Sequence, residues 1–258
     1  MRVVNVVAAA GLMVALNGCG GGGSTVGGGG GPTDNANSGG IWRGQESVSG
    51  LQVTGLVDES GNFHFIRGDS VQYVGVAKTS GGNVTADIEG ITPLGYAFAD
   101  GSVHGTGSLS GTIAARKTIT STTQFKTDLG SANSGTLNLT FDALYNRASA
   151  LSTLSGNFTN TANNVVVTVG TNGSLFSQDA VSGCVLNGTA STINANFNLY
   201  KVQFDFANCA GTSSALNGLD FTGVATLDNT VTPERIIVGA TAISGNRKYS
   251  VVLQLNRT

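Results

Sequence analysis

Residues 199–206 read LYKVQFDF, and this stretch decides the fold class. Apolar and polar side chains alternate along it, with Tyr200, Val202, Phe204 and Phe206 on one side and Lys201, Gln203 and Asp205 on the other. Successive side chains of a β-strand point to opposite faces, so this alternation predicts a strand with one buried face and one wet face. A helix would spread the same aromatic residues around its surface.

The same alternation recurs along the chain, at residues 137–142, 219–227 and 249–255. Stretches typical of turns separate such segments, at residues 58–62, 171–173 and 244–246. No long amphipathic helix is predicted, and we expect at most one or two helical turns within residues 142–154. With 39 glycines and short apolar segments, the chain is predicted to be all-β.

The second half of the chain repeats the pattern of the first. Trp42 and Phe158 precede equivalent predicted strands and are 116 residues apart, while the turn glycines Gly61 and Gly173 are 112 residues apart. We therefore predict two tandem antiparallel β-barrels, at residues 41–145 and 146–258, with β-sandwiches as the alternative. The second half contains eight consecutive predicted strands, and closing them into a barrel leaves no exposed edge.

A membrane-spanning barrel has the same alternation with its faces reversed. Its strands are expected to carry aromatic residues at both membrane interfaces, and here such girdles are missing. The chain also ends in Asn256, Arg257 and Thr258 instead of an aromatic residue. We therefore expect barrels whose apolar faces point inward.

Residues 1–18 have the features of an export signal. Arg2 is followed by an uncharged apolar run that reaches Leu16, which is shorter than the ~20 apolar residues of a membrane-spanning helix. The run ends in Leu16, Asn17, Gly18 and Cys19, which resembles the lipobox of bacterial lipoproteins. The resemblance implies diacylglycerol on the thiol of Cys19, cleavage after Gly18 and attachment to a membrane through that lipid.

Residues 19–40 contain eleven glycines and no aromatic residue, so we predict a flexible tether. A cysteine followed by a glycine run is similar to the start of surface lipoproteins such as transferrin-binding protein B and factor H-binding protein. That resemblance implies β-barrel modules that bind a partner. Gly20 stands where lipoproteins of the inner membrane commonly have aspartate, which implies an outer-membrane location, with exposure at the cell surface as an open question.

The remaining cysteines, Cys184 and Cys209, are predicted to form a disulfide, because an exported chain meets an oxidising environment. No metal site and no cofactor are predicted. Only 11% of the residues are charged and the net charge is −2, so the chain lacks the basic patch that binds DNA or RNA.

Motifs of hydrolases and zinc proteases are missing from the sequence. We expect His64 and His104 to be solvated surface residues, and the acidic residues Asp58, Glu59, Asp87 and Glu89 to lie in turns and on strand faces. The predicted function is therefore not enzymatic: a lipoprotein that presents β-barrels to a protein partner. The alternatives are a carrier of an apolar ligand, since Trp42 after Gly40 resembles the start of lipocalins, and a structural accessory of the envelope.

Overall fold

The computed structural model describes residues 37–160 and 165–258, which form two closed antiparallel β-barrels of eight strands each. The eight strands of the first barrel are β1 (Gly40–Glu46), β2 (Gln52–Val57), β3 (Asn62–Arg67), β4 (Gln72–Val76), β6 (Asn83–Ile91), β7 (His104–Ala114), β8 (Thr118–Thr127) and β9 (Ala132–Asp142), and a short additional strand, β5 (Lys78–Ser80), lies between β4 and β6 in the chain. This barrel closes through the pairing of β1 with β9 and of β4 with β6, while β5 pairs with the far part of β6.

The second barrel is an up-and-down barrel in chain order. Its strands are β10 (Gly156–Asn160), β11 (Val165–Val169), β12 (Ser174–Gln178), β13 (Val185–Thr192), β14 (Tyr200–Ala207), β15 (Phe221–Asp228), β16 (Arg235–Ser244) and β17 (Arg247–Arg257). It closes through β10 and β17, where Phe158 pairs with Arg257 and Thr159 with Asn256. The predicted all-β fold with two tandem barrels is confirmed.

Side chains of the predicted apolar faces fill the barrel interiors. In the second barrel, Tyr200, Val202 and Phe204 are at most 5% exposed and belong to one apolar core. In the first barrel, Trp42 is fully buried and packs edge-on against Phe141 at a centroid distance of 5.5 Å. Apolar residues therefore point inward, the reverse of the arrangement on a lipid-facing barrel.

The first barrel begins slightly earlier than the sequence predicted. Ser38 is buried, and its carbonyl oxygen accepts a hydrogen bond of 3.0 Å from Trp42 Nε1. The last residues of the predicted tether 19–40 thus belong to the barrel, because they hold the indole in place. The rest of that tether, residues 19–36, the signal sequence and Cys19 lie outside the described residues.

A short connection joins the two barrels and contains the helical turns expected near residues 142–154. It consists of a 3-10 turn at Ala143–Asn146 and helix α1 at Leu151–Leu154. Asp142 Oδ1 accepts a hydrogen bond of 2.9 Å from the backbone amide of Leu144, which caps the 3-10 turn. Tyr145 in this turn stacks on Phe197 of the second barrel at a centroid distance of 4.6 Å.

The two barrels pack side by side through apolar residues on their outer surfaces. We call this group the inter-barrel cluster, and its buried members are Ile41, Leu56, Ile66, Leu144, Tyr145, Leu199, Val224 and Ile237. Strands β1, β2 and β3 supply one side of it, and β15 and β16 supply much of the other. Each of these strands is therefore buried on both faces, one toward its barrel core and one toward the neighbouring barrel.

Polar contacts accompany this apolar interface. Gln72 is fully buried, and its Nε2 donates to the carbonyl oxygens of Ala240 and Val251, both at 3.1 Å, and to Ser250 Oγ at 2.6 Å. Since these acceptors fix the amide orientation, Oε1 of Gln72 faces His64 and accepts from its Nδ1 at 2.9 Å. The proton of the neutral imidazole accordingly lies on Nδ1.

The prediction that His64 is a solvated surface residue is wrong. His64 does lie on the outer face of β3, but the second barrel covers that face, and the side chain is partly buried against Gly239 and Gln72. Burial lowers the pKa of His64 below its ordinary value of 6.5, and the hydrogen bond to Gln72 offsets this effect only in part. The neutral imidazole is therefore the form that the interface stabilises.

We expect the stability of the protein to fall as the pH drops below 6.5, the ordinary pKa of histidine. In the window between 6.5 and the lower pKa of folded His64, the unfolded chain binds a proton that the folded chain does not, so acid favours unfolding. Each unit of pKa difference corresponds to about 1.4 kcal/mol. Urea unfolding at several pH values should show that acid lowers the free energy of unfolding less for His64→Asn than for the parent. Equal losses of unfolding free energy in the two proteins would contradict this role of His64.

Candidate functional site

The connections at one end of the first barrel surround a large cleft. These connections are residues 47–51, 68–71, 92–103 and 128–131, and we call this end distal because β1 begins at the opposite, proximal end. The cleft has a volume of about 910 Å³. That size lies within the range of roughly 300–1,000 Å³ of typical ligand sites.

The second barrel is aligned so that its own loops extend toward the same side. Near the distal end, Lys248 pairs with Glu89, and Leu94 packs against the apolar core of the second barrel. Near the proximal end, Arg43 pairs with Asp228 at 3.3 Å. The connections at residues 179–184, 208–220 and 245–246 therefore lie on the distal side together with the cleft.

Aromatic rings form one wall of the cleft. The ring of Phe125 lies 5.5 Å from that of Tyr73 and 5.4 Å from that of Phe98, and all three are partly exposed. Tyr96 stands at the rim with 69% of its surface exposed. The faces and edges of these rings are therefore accessible to a ligand bound in the cleft.

A charged network forms the floor of the cleft. Arg67 is only 13% exposed and contacts Glu46 at 3.1 Å, the hydroxyl of Tyr73 at 3.1 Å and Asp69 through two hydrogen bonds of 2.9 and 2.8 Å. Burial alone would raise the pKa of Asp69, but hydrogen bonding and the charge of Arg67 outweigh it and lower the pKa. Burial, reinforced by the charge of Glu46, raises the pKa of Tyr73 to about 12. The floor therefore holds fixed charges at neutral pH.

The long connection at residues 92–103 is held firmly over the cleft. Asp100 accepts hydrogen bonds from the hydroxyl of Thr127 and, at 3.0 Å, from the backbone amide of Ser102. The hydrogen bond from Thr127 is the main reason that the pKa of Asp100 lies below its ordinary value. Ser102 Oγ in turn accepts from the amide of Leu129 at 3.0 Å, which ties this connection to the turn between β8 and β9.

The barrel interiors, by contrast, are filled. The enclosed space below the cleft of the first barrel is about 30 Å³, and the space in the core of the second is about 20 Å³. A buried water needs about 10–15 Å³ of space open to a water-sized sphere, so each space has room for only a few water molecules. Neither space can hold an acyl chain.

The predicted disulfide joins the ends of two adjacent strands. Cys184 immediately precedes β13 and Cys209 follows β14, and the two sulfur atoms are within bonding distance. The Cα atoms are 4.0 Å apart, inside the limit of about 7 Å for a disulfide. The bond closes the base of residues 208–220 on the distal side of the second barrel.

We expect reduction of this disulfide to destabilise the second barrel. The cysteines are 25 residues apart, and for a loop of that size the entropic model gives about 3 kcal/mol. For a protein of this length, this loss corresponds to a decrease in Tm of about 6–12 °C. Calorimetry of the parent with and without a thiol reductant measures the difference, and a Cys184→Ser/Cys209→Ser variant that melts as the oxidised parent does would contradict the expectation.

His104 differs from the predicted solvated residue, since its side chain is only 22% exposed. Its Nδ1 lies 3.1 Å from Asp128 Oδ1, and its Nε2 lies 3.7 Å from Glu89 Oε2, while Glu89 is also paired with Lys248. This group lies on the outer face of the first barrel and outside the lining of the cleft. The histidine and its carboxylates are thus brought together outside the cleft.

The other acidic candidates take structural positions. Asp58 accepts hydrogen bonds from the amides of Ser60 and Asn62 at 2.8 and 2.9 Å, and Glu59 accepts one from the hydroxyl of Tyr145. Asp87 is exposed on β6. Among residues 37–160 and 165–258, no group of three or more potential ligands is arranged to hold a metal ion.

The residues of the cleft escaped the sequence analysis. Arg67, Glu46 and Asp100 look like ordinary turn residues in the sequence, because their proximity depends on the closure of the barrel. One available signal was the length of the connection at residues 92–103, which contains Leu94, Tyr96, Phe98 and Val103 between two strands. Long connections in compact β-domains are uncommon and often functional.

Comparisons of the chain with protein families, with curated proteins and with solved structures found no match. Within the part of the chain that the structure describes, no helix has the length and apolar character needed to cross a membrane.

Proposed function

We propose that the chain is a lipoprotein anchored in the outer membrane through Cys19, which binds a protein partner at the distal end of its two barrels and catalyses no reaction. The observation that carries this proposal is that β1 begins at one end of the first barrel and the cleft opens at the other. The chain enters β1 at the proximal end, whereas the cleft opens at the distal end. A tether attached at the proximal end leaves the cleft facing away from the membrane.

Exposed apolar side chains on the distal side support this proposal. They are Val48, Tyr96, Leu129, Val181 and Ile243, and each is at least 49% exposed. They belong to both barrels, so a partner that spans the distal side could contact all of them. Aromatic and apolar residues grouped on one side are typical of protein-binding surfaces.

Two further features favour presentation over the other functions considered. The barrel interiors are filled, which argues against a carrier of a lipid inside either barrel. The carboxylates near His104 lie on an outer wall, which argues against acid–base catalysis there. A structural role in envelope assembly remains the competing proposal, and the identity of the captured partner distinguishes it from adhesion.

The anchoring part of the proposal is tested with Cys19→Ala in the producing cell. Loss of the lipid should release or mislocalise the protein, because the acyl chains hold the processed chain in its membrane. Protease treatment of intact cells then reports whether the barrels are outside the cell. Intact-mass analysis of the parent that shows an unmodified Cys19, or cleavage at another site, would contradict the anchor.

The binding part is tested by capture of envelope and host proteins on the Cys19→Ala chain. A Tyr96→Ser/Leu129→Ser variant removes two distal apolar side chains and should lose the captured partner. The matched control is Ile193→Ser/Val231→Ser, which changes two exposed apolar residues at the proximal end. Equal losses in the two variants would show that the distal side is not the binding surface.

A further inference from the structure

We infer that the distal cleft accepts a lysine or arginine side chain from an extended segment of the protein partner. This inference rests on the proposed function and deepens it, because it states what chemistry the partner must present. It follows from the charge of the cleft, from its aromatic wall and from its size.

The cleft is acidic. Its lining contains the carboxylates of Glu46, Asp69 and Asp100 and one cation, Arg67, so its net formal charge is −2. Arg67 is already engaged by Glu46 and Asp69. A concave site with low-dielectric walls concentrates such a field, which attracts cations and repels anions.

The aromatic wall suits the same kind of ligand. The faces of aromatic rings attract ammonium and guanidinium groups that approach within about 6 Å of the ring centre. The cleft contains an internal example, since the guanidinium carbon of Arg67 lies 5.8 Å from the centre of the Tyr73 ring. Phe98 and Phe125 are partly exposed beside Tyr73. Among the described residues, no lysine or arginine lies over either of these two rings.

The size of the cleft indicates that more than one side chain enters. A volume of about 910 Å³ exceeds what a single lysine or arginine fills, so flanking residues of the partner also fit. Val48 and Tyr96 line the cleft and offer apolar contacts to those flanking residues. An extended peptide segment meets these conditions, with its cation directed toward the carboxylates.

The test uses the whole mature chain with Cys19→Ala and three short peptides. They are acetyl-Gly-Arg-Phe-Lys-Gly-amide and two versions in which both cations are replaced by glutamine or by glutamate. Calorimetric or NMR titration should show that the cationic peptide binds most tightly, the glutamine peptide more weakly and the glutamate peptide most weakly. Added salt should weaken binding of the cationic peptide. Amide shifts should map to residues that line the cleft.

Three variants of the chain make the test specific. Asp69→Asn/Asp100→Asn should weaken cationic binding about tenfold, since each exposed charge pair contributes a factor of a few. The control, Asp87→Asn/Asp220→Asn, removes the same charge at exposed positions outside the cleft and should bind as the parent does. Phe98→Leu keeps an apolar side chain but removes a ring, and should weaken binding a few-fold.

The inference is overturned if the glutamate peptide binds as well as the cationic one, if shifts map away from the cleft, or if the control pair weakens binding as much as the cleft pair. Its failure is distinguishable from failure of the proposed function. If capture of a partner depends on Tyr96 and Leu129 but peptide binding does not depend on peptide charge, the inference about the cleft is rejected and the proposed binding function is retained. If the chain binds the cationic peptide but is found not to carry a lipid on Cys19, the anchor is rejected and the inference about the cleft is retained.

Discussion

Ile237→Asp is expected to separate the two barrels. Ile237 is 3% exposed, lies on the outer face of β16 and belongs to the inter-barrel cluster. The substitution removes a buried side chain worth about 2–3 kcal/mol and places a carboxylate that must stay hydrated at the same point. We expect the interface to lose at least about 4 kcal/mol in total, while the interior of each barrel remains packed.

Small-angle scattering should then report a larger radius of gyration, and limited proteolysis should cut within residues 143–155, the connection between the barrels. Ile243→Asp is the matched control. It makes the same change on the same strand at a position that is 65% exposed, so both measurements should remain as in the parent. An Ile237→Asp protein that is as compact and as protease-resistant as the control would show that the interface tolerates a hydrated carboxylate.

Trp42→Ala is expected to destabilise the first barrel by about 3–5 kcal/mol, the usual cost of truncating a buried tryptophan. Trp42 is 0% exposed, packs on Phe141 and donates to the carbonyl of Ser38. Its removal therefore leaves a cavity in the core and an unpaired carbonyl at the start of the barrel. Chemical unfolding followed by circular dichroism measures the loss.

Trp42→Phe provides the comparison, because it keeps an aromatic ring against Phe141 and should cost much less. Trp42 is also the single tryptophan of the chain, so its fluorescence in the parent reports on the first barrel alone. A loss below about 1 kcal/mol for Trp42→Ala would mean that the core refills the cavity, contrary to the cost expected for a rigid barrel.

The barrels themselves could be predicted from the sequence because each strand has one wet face. In the second half, the alternating segments predicted at residues 199–206, 219–227 and 249–255 correspond to β14, β15 and β17. A period of two determines which residues point inward, and consecutive strands with short turns leave few ways to pair. The disulfide was predicted on a different ground, from the pair of remaining cysteines in a chain expected to be exported to an oxidising environment.

The interface between the barrels could not be predicted as easily, although the sequence contains a signal for it. Consecutive apolar residues interrupt the alternation at Leu56–Val57, Phe65–Ile66 and Ile236–Ile237. Such pairs indicate strands buried on both faces. They do not identify what covers the second face, which is why His64 was assigned to solvent. The cleft depends on barrel closure and on the pairing register, and periodicity alone specifies neither.

The position of β1 also determines how the protein would resist a pulling force. Six residues of β1 pair with β2 on one side and six with β9 on the other. If the tether is fixed at the membrane and a partner pulls at the distal end, the load acts along β1. Hydrogen bonds between antiparallel strands are perpendicular to the strands, so both ladders would be loaded in shear and share the force. A strand peeled from its end would instead break its bonds one pair at a time.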